Sequence, residues 1–303
     1  MIRRPPRVAV IGSTASGKSS VAMAVAAELG DVELISVDSM QVYRGMDIGT
    51  AKPSTQDQSA ARHYCINLVE PTAEFTVAEF KWAHAAALDD IAAGAQRALL
   101  VGGTGLYHRV VVDDFDLPGE WPEVRAGLDH HETNTLYQRL RELDLKAIEK
   151  IEPENRRRLL RALEVTIGSG RPFSSFGPGV DHYPDTGVAQ VGLRWPRPVI
   201  SQRIEARVHA MIDAGLVAEV AALSEAGFSK TSAQALGYKE ILQHLRGEIS
   251  HDEAVELVIT RTRQFAVRQE RWFRRDPRVR WIDIESDPVA EVAPIVIEEL
   301  QRA

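Results

Sequence analysis

The clearest chemical signal in the sequence is the segment GSTASGKS at residues 12–19. Its spacing, G-x-x-x-x-G-K-[ST], is that of a P-loop, whose glycines let the backbone wrap closely around a phosphate while successive N–H groups point inward. Lys18 would add a positive charge at the phosphate oxygens, and the hydroxyl of Ser19 is of the kind that normally reaches a Mg²⁺ ion. A short apolar strand precedes the loop and a helix follows it, which is the context that the motif requires. The segment therefore predicts an enzyme that holds a diphosphate-bearing ligand.

A second group of reactive side chains follows at residues 38–41. Asp38 ends a predicted strand, residues 32–37, which we expect to lie beside the strand of the P-loop, at the edge where open α/β sheets bind ligands. Its carboxylate could act as a general base or help to hold Mg²⁺, and it could also merely cap the turn that follows. Gln41 offers a donor and an acceptor, which suits the edge of an adenine. A P-loop alone does not name the reaction, because kinases, ATPases and other transferases all use one.

The net charge of −7 argues against a general nucleic-acid binder, but the arginines are concentrated in two blocks. Residues 156–161 hold four arginines and no acid, and residues 261–275 hold six arginines against the single acid Glu270. Such blocks suit a polyanionic partner held at one face, although a solvated helix face accounts for them equally well on charge alone. The aromatic residues of the second block are expected to form the buried stripe of an amphipathic helix rather than platforms for bases: Phe265, Trp272 and Phe273. Tyr43 and Trp82 are interpreted as packing residues.

The surrounding pattern alternates strands with helices, which predicts an α/β fold with a mostly parallel sheet covered by helices on both sides. Thr76 and Glu79 form a capping-box pattern at the start of a helix over residues 76–93. Long amphipathic helices are predicted at 199–226 and 250–275, a shorter one near 234–246, and a last strand at 279–284. Residues 118–187 carry charge-rich helical stretches and then a Gly/Pro/Ser-rich return. We therefore expect a P-loop NTPase-like core at 1–117 and 188–303, with a helical insertion domain at 118–187.

Composition bears on the cellular location and the oligomeric state of the protein. Apolar stretches are far shorter than the ~20 residues that a membrane-spanning helix needs, and no apolar block with a cleavage site follows the basic start. The single cysteine, Cys65, allows no internal disulfide and fits a reducing cytoplasm. No long heptad pattern argues for a dimer. We expect a cytoplasmic, monomeric protein without a membrane partner.

The segment SVDSMQVYRGMDIGTAKP after the P-loop resembles the signature of bacterial tRNA dimethylallyltransferases, also called tRNA isopentenyltransferases, the IPP transferase family. Further segments agree in order and spacing: LLVGGTGLY at 99–107, PEVR at 122–125, RRLLRALEV at 157–165, QRIEARV at 202–208, ALGYKE at 235–240 and RTRQFAVRQERWFR at 261–274. The resemblance runs from residue 8 to about residue 284. Two positions depart from the family pattern: Ser13 stands where proline is usual, and Ser19 where threonine is common.

The resemblance implies transfer of a dimethylallyl group from dimethylallyl diphosphate to N6 of adenosine 37 in the anticodon loop of tRNAs. The tRNAs implied have adenosine at position 36 and read codons that start with U. Asp38 would be the general base, Lys18 would neutralise the leaving diphosphate, and Ser19 would hold Mg²⁺. The diphosphate would lie against Gly12, Ser13, Thr14, Ala15, Ser16, Gly17, Lys18, Ser19 and Arg207, with Arg203 one turn before Arg207 on the same helix face. The tRNA would contact Asp38, Ser39, Met40, Gln41, Thr104, Arg125, Arg157, Arg158, Arg161, Gly237, Tyr238 and Lys239.

Three other functions share parts of this pattern. A small-molecule P-loop kinase would share the loop and Mg²⁺ but has no counterpart of the SVDSMQVYRGMDIGTAKP segment. An adenylate isopentenyltransferase would prenylate a free nucleotide, for which the arginine blocks would be superfluous. A non-catalytic RNA-binding protein with a vestigial P-loop would not need intact Lys18, Ser19 and Asp38.

Overall fold

The structure is a computed structural model that describes residues 5–177 and 179–303. Chain contacts divide it into two compact units, of which the larger runs up to Asp113 and resumes over Asp185–Ala303, and the smaller is Asp114–Pro184. The sequence placed the corresponding borders at 117/118 and 187/188.

The strands of the larger unit form one sheet in which every pairing is parallel. They are β1 (Arg7–Gly12), β2 (Val32–Val37), β3 (His63–Tyr64), β4 (Arg97–Gly102), β5 (Ala189–Arg194) and β6 (Val279–Asp283). Val8, Ala9 and Val10 of β1 are completely buried, as expected for a parallel strand covered on both faces. The predicted α/β class with a parallel sheet is confirmed.

The order of the strands across the sheet is β3-β2-β4-β1-β5-β6. The strand that ends at Asp38 is therefore not the neighbour of the β1 strand, as the sequence led us to expect, because β4 lies between them and pairs with both. Sequence order alone does not give spatial order in a sheet with crossover connections. The carboxyl ends of all three strands nevertheless meet at one edge, since the strands are parallel.

The helices are, in chain order, α1 (Lys18–Leu29), α2 (Thr55–Ala60), α3 (Val77–Ala93), α4 (Gly105–Val112), α5 (Pro122–Leu128), α6 (Thr133–Leu143), α7 (Leu145–Ile148), α8 (Arg156–Ser169), α9 (Arg197–Asp213), α10 (Leu216–Ala226), α11 (Tyr238–Leu245), α12 (His251–Phe273) and α13 (Pro288–Arg302). Short 3₁₀ turns occur at Phe173–Ser175 and Ser232–Gln234. Thr76 and Glu79 make the predicted capping box at the start of α3, in which each side chain accepts the other's backbone N–H.

The single long helix predicted over 199–226 is wrong. The chain forms α9 and α10 instead, and Gly215 separates them with a left-handed backbone, φ 100° and ψ 28°. An L-residue with a side chain rarely adopts that conformation, so the glycine ends one helix and redirects the next.

Apolar side chains cover both faces of the sheet in the larger unit. One cluster includes Tyr43, Phe80 and Tyr238, and the other packs α1 and α13 against the opposite face through residues such as Val25 and Val296. Tyr43 is fully buried, which confirms its interpretation as a packing residue. Trp82 on α3 is instead 72% exposed, so its interpretation as a packing residue was wrong.

The smaller unit consists of α5–α8 and the 3₁₀ turn Phe173–Ser175, without a strand among its described residues. It has an apolar core of its own, in which Leu136 and Leu140 of α6 pack with Leu159 and Leu163 of α8. These residues are spaced four apart on each helix, so each pair lies on one face.

Candidate active site

Residues just beyond the ends of β1, β2 and β4 line a cavity of about 470 Å³ in the larger unit, to which α9 and α12 contribute further walls. The sequence-predicted residues that line it are Thr14, Lys18, Ser19, Asp38, Ser39, Met40, Gln41, Thr104, Arg207 and Gly237. The structure thus brings together residues that are spread over more than two hundred positions of the chain.

The glycine loop, residues 12–19, turns tightly into α1. Gly17 caps the helix in a left-handed conformation with φ 100°, and a Cβ atom there would lie 2.7 Å from the ring of Pro288. Lys18 folds back over the loop, and its Nζ donates a hydrogen bond of 2.7 Å to the carbonyl of Ser13. The ammonium group is therefore fixed at the cavity wall before any ligand is bound.

Two side chains from outside the loop hold its carbonyl groups. The Nε of Arg203 donates to the carbonyl of Ala15 at 2.8 Å, and the indole Nε1 of Trp195 donates to the carbonyl of Ser16 at 2.8 Å. The Arg203 guanidinium also lies over the Trp195 ring, 4.6 Å from its centroid. Arg203, which we expected beside Arg207 at the diphosphate, instead braces the loop from behind and does not line the cavity.

Gln269 of α12 is a buried site residue that the sequence did not reveal. Its Oε1 accepts the backbone N–H of Thr14 at 2.8 Å, and its Nε2 donates to the carbonyl of Gly103 at 2.9 Å. Thr14 and Gln269 are 255 positions apart, so no local pattern could have found the pair.

Positive charge is concentrated next to Asp38. Partial burial lowers the pKa of Lys18 from 10.5 to about 7, and the charge of Arg207 lowers it further while that of Asp38 opposes the shift. Burial likewise lowers the pKa of Arg207, again against the effect of Asp38. Two cationic side chains at one cavity wall favour a polyanionic ligand, whose charge would raise the pKa of Lys18 again.

Asp38 is oriented by the turn that follows β2. One carboxylate oxygen, Oδ1, accepts the backbone N–H of Met40 at 2.8 Å, so the side chain does cap the turn. The neighbouring N–H of Ser39 donates to the Oγ1 of Thr104 at 3.2 Å, which ties this turn to the loop after β4. The capping contact uses one oxygen and leaves Asp38 at the wall of the cavity, so capping is compatible with a role as general base, which stays a prediction.

The amide of Gln41 is engaged by the chain itself. Its Oε1 accepts from the Oγ of Ser36 at 2.7 Å, and its Nε2 donates to the carbonyls of Thr50 and Ala51 at 3.2 Å each. Because these contacts occupy both ends of the amide, Gln41 holds the loop over residues 41–53 in place and does not present the free adenine-reading edge that we expected.

Glu219 of α10 anchors the same loop. Its carboxylate accepts the backbone N–H groups of Asp47, Ile48 and Gly49 at 2.8–3.3 Å and the hydroxyl of Tyr238 at 2.5 Å. The Tyr238 side chain is fully buried, and the tRNA contact expected at this position stays a prediction. Its role is to support the loop from below.

The two neighbours of Tyr238 lie differently. Gly237 lines the cavity, and Lys239 is partly exposed, with its Nζ donating to the Oε1 of Gln234 at 2.9 Å. Lys239 is therefore accessible from solvent, whereas Gly237 is buried at the cavity wall.

Several arginines of the second block are paired within the chain. Arg261 pairs with Glu240, Arg263 with Glu205 at 2.5 Å, and Arg274 with Glu270 at 3.6 Å. The side chains of Arg268, Arg271 and Arg275 are exposed. The block therefore offers less free positive charge than its composition indicates.

The aromatic residues of α12 divide between core and cavity. Phe273 is buried and Trp272 is partly buried against the core, as predicted. Phe265 was wrongly assigned to the buried stripe, because it lines the cavity with the Arg268 guanidinium 5.7 Å from its ring centroid.

The remaining predicted tRNA contacts belong to the smaller unit. Arg125 and Arg161 both pair with the buried carboxylate of Glu164, at 3.2 and 2.9 Å. Arg157 and Arg158 are exposed on α8, and neither forms an ion pair with the described part of the chain. Their charge is therefore available to a phosphate.

Two features bear on cofactors and setting. Across residues 5–177 and 179–303, no three or more His, Cys, Asp or Glu side chains gather closely enough to bind a metal ion by themselves. Over the same ranges, none of the helices combines the length and apolar character of a membrane span.

Comparison with known proteins gives a consistent result. The model of the IPP transferase family matches residues 41–276. Proteins named tRNA dimethylallyltransferase from Pseudarthrobacter chlorophenolicus and Thermobifida fusca are 44% and 42% identical to this chain, over 95% and 94% of it and 97% and 92% of their own lengths.

Solved structures agree with the sequence comparison. The crystal structure of the full-length tRNA isopentenylpyrophosphate transferase from Bacillus halodurans is 33% identical and superposes with a TM-score of 0.72, covering 99% of this chain and 98% of that one. A eukaryotic dimethylallyltransferase, solved acting on tRNA, shares the fold with a TM-score of 0.81 at 24% identity, over 96% of this chain and 77% of that one. The matched segment, the near-complete coverage by relatives and the common architecture lead to one conclusion: the chain belongs to the IPP transferase family.

Proposed function

We propose that the protein transfers a dimethylallyl group from dimethylallyl diphosphate to N6 of adenosine 37 in the anticodon loop of tRNA and releases diphosphate. Its relatives named tRNA dimethylallyltransferase support this proposal at 44% identity over nearly the whole chain. The tRNAs proposed are those with adenosine at position 36.

One observation carries the proposal: Asp38, Lys18 and Arg207 line a single cavity and act on one another electrostatically. A carboxylate that can take a proton is thus close to two cations that can neutralise a leaving anion. That combination suits substitution at carbon with diphosphate as the leaving group, in which a proton and a diphosphate leave on opposite sides of the new bond.

The acceptor N6 is a weak nucleophile because its lone pair is delocalised into the adenine ring. As the N6–C1 bond forms, the Asp38 carboxylate takes the N6 proton, which prevents positive charge from accumulating on the nitrogen. The Met40 N–H donates to Oδ1 and so holds the carboxylate in one orientation before the reaction begins.

The C1–O bond breaks at the same time, and its electron pair leaves with the diphosphate. Lys18, Arg207 and the backbone N–H groups of the glycine loop stabilise the negative charge that develops there. The braces from Arg203 and Trp195 keep these donors in place, so little reorganisation is needed when charge appears.

A magnesium ion fits the donor set as a part of the proposal. Mg²⁺ prefers oxygen ligands and is commonly held by one or two protein oxygens together with phosphate oxygens and water. The exposed hydroxyl of Ser19 is such an oxygen on the wall of the same cavity. When bound there, the ion would add positive charge at the diphosphate.

The tRNA is expected to contact exposed cations rather than all the arginines of the two blocks. Arg157, Arg158, Arg268 and Arg271 present their charge to solvent. We propose that the enzyme acts as a monomer in the cytoplasm. The lone cysteine, Cys65, is buried and forms no disulfide.

The test offers radiolabelled dimethylallyl diphosphate separately with unmodified tRNA, AMP and ATP, in the presence of Mg²⁺. Label in tRNA at adenosine 37 supports the proposal. Label in AMP would identify an adenylate isopentenyltransferase instead. Phosphoryl transfer from labelled ATP without prenyl transfer would identify a kinase, and tRNA binding without either transfer a non-catalytic protein. Omitting Mg²⁺ and restoring it tests the metal separately.

A further inference from the structure

We infer that Gln269 is a positioning residue that sets the distance between the leaving-group loop and the catalytic base. This role rests on the proposed function. It concerns the side-chain amide of one residue of α12, which contacts the backbone on both sides of the reaction site.

The amide is held in one orientation. Its oxygen faces the N–H of Thr14 at 2.8 Å and its nitrogen faces the carbonyl of Gly103 at 2.9 Å, and the residue is 7% exposed. The contact with Gly103 is buried and that with Thr14 is partly buried, and an unmade hydrogen bond is costly where water is excluded. A glutamate at this position could accept from Thr14 but could not donate to Gly103.

The second contact continues toward Asp38. Gly103 is followed by Thr104, whose Oγ1 accepts the N–H of Ser39, the residue next to Asp38. One amide therefore links the glycine loop, which would hold the diphosphate, to the turn that orients the base. In a reaction that makes and breaks bonds at one carbon, a displacement of about 1 Å between these parts can cost about a hundredfold in rate.

Gly103 shows how closely the amide fits. A Cβ atom added there would lie 2.4 Å from the Nε2 of Gln269 and 3.1 Å from the carbonyl of Gly12. A side chain at this position would displace the Gln269 amide, so the glycine and the glutamine depend on each other.

The experiment compares Gln269→Met, which keeps the length and loses both hydrogen bonds, with Gln269→Glu, which keeps the acceptor alone. Gln264→Met is the matched control, since Gln264 is an exposed glutamine of the same helix that does not line the cavity. We expect kcat per folded enzyme to fall about ten- to a hundredfold in Gln269→Met and less in Gln269→Glu. The KM for tRNA should stay within about twofold of wild type, and Gln264→Met should match wild type.

A role in stability alone would lower the melting temperature but leave kcat per folded molecule unchanged, and that result in Gln269→Met would overturn the inference. A second test compares two single variants with the double variant, so that its result does not depend on one variant that folds like the wild type. Gly103→Ala should lower kcat more in the wild-type background than in Gln269→Ala, because removal of the amide relieves the 2.4 Å contact and leaves only the 3.1 Å contact with the Gly12 carbonyl. Additive losses would contradict the link.

The failure of the proposed function is visible separately. If the wild type transfers no prenyl group, the proposed function fails and this role fails with it. If the wild type transfers the group and Gln269→Met does so equally fast, only the role of Gln269 is wrong.

Discussion

Raising the pH from 7 to 9 should weaken the binding of dimethylallyl diphosphate, because Lys18 loses its charge in the ligand-free protein over this range. Its pKa is lowered to about 7 by partial burial and by Arg207. A diphosphate beside the ammonium favours the charged form, so the pKa rises on binding and the complex takes up a proton. Affinity is therefore full well below pH 7, about half of its maximum at pH 7, and lost progressively as the pH rises further.

The size of the effect follows from the fraction of Lys18 that is charged. At pH 7 about half of the ligand-free molecules carry the proton, and at pH 9 about one in a hundred does. If only the charged form binds well, the dissociation constant rises about fiftyfold between these values, provided that the bound pKa lies above 9. The loss approaches tenfold for each pH unit.

Isothermal titration calorimetry measures this directly. The dissociation constant is determined at pH 7, 8 and 9, in buffers of different ionisation enthalpy so that proton uptake is counted. Uptake should rise from about half a proton at pH 7 to about one at pH 9. Two variants are the controls: Lys18→Arg, whose charge does not titrate between pH 7 and 9, and Lys18→Met, whose side chain has no charge. Ionisation of dimethylallyl diphosphate itself affects both variants and the wild type equally.

The reasoning fails if wild type and Lys18→Arg show the same pH dependence, or if Lys18→Met retains a fiftyfold change. Either outcome would mean that another group, or the ligand itself, titrates between pH 7 and 9. A wild-type change below threefold would mean that the ammonium keeps its charge in the free protein.

Three other predictions concern separate parts of the molecule. Asp38→Asn should lower kcat by about 10² to 10⁴ and change the tRNA dissociation constant little, as measured by single-turnover kinetics and filter binding; an unimpaired rate would exclude the carboxylate as base. Glu219→Gln should cost about 2–3 kcal/mol in urea unfolding, because one carboxylate accepts four hydrogen bonds, whereas Tyr238→Phe should cost about 1 kcal/mol; equal losses would refute this ranking. Replacing Arg157 and Arg158 by glutamine should weaken tRNA binding and reduce its salt dependence by up to about two phosphate contacts, and an unchanged slope would remove both from the interface.

The parts of the site that the sequence predicted are those that depend on local spacing. The glycine loop sets its own backbone within eight residues, and the capping box at Thr76 and Glu79 is made within four. The geometry of such patterns can be predicted from the sequence, because the interacting residues are a few positions apart and the turn itself fixes their relative positions. The parallel sheet followed from the alternation of strands and helices for the same reason.

The parts that could not be predicted depend on which distant residues meet. No local sequence pattern near Gln269 predicts its contact with Thr14, 255 positions away. Likewise, no pattern near Glu219 predicts that it accepts N–H groups from residues 47–49. The position of β4 between β1 and β2 is likewise a matter of topology. Phe265 was wrongly assigned to the buried stripe, because residue type gives a preference for burial and tertiary packing decides the outcome.

Gly215 separates the two helices that support the two halves of the site. It does not line the cavity, and a Cβ atom there would meet nothing within 4 Å. An L-residue would pay about 1–2 kcal/mol for its left-handed backbone, with asparagine the best tolerated. Random mutagenesis should therefore return position 215 among the activity-impaired variants that still express and fold. Such variants would lose activity because the arginines of α9 and the glutamate of α10 would keep their side chains but change their positions relative to each other.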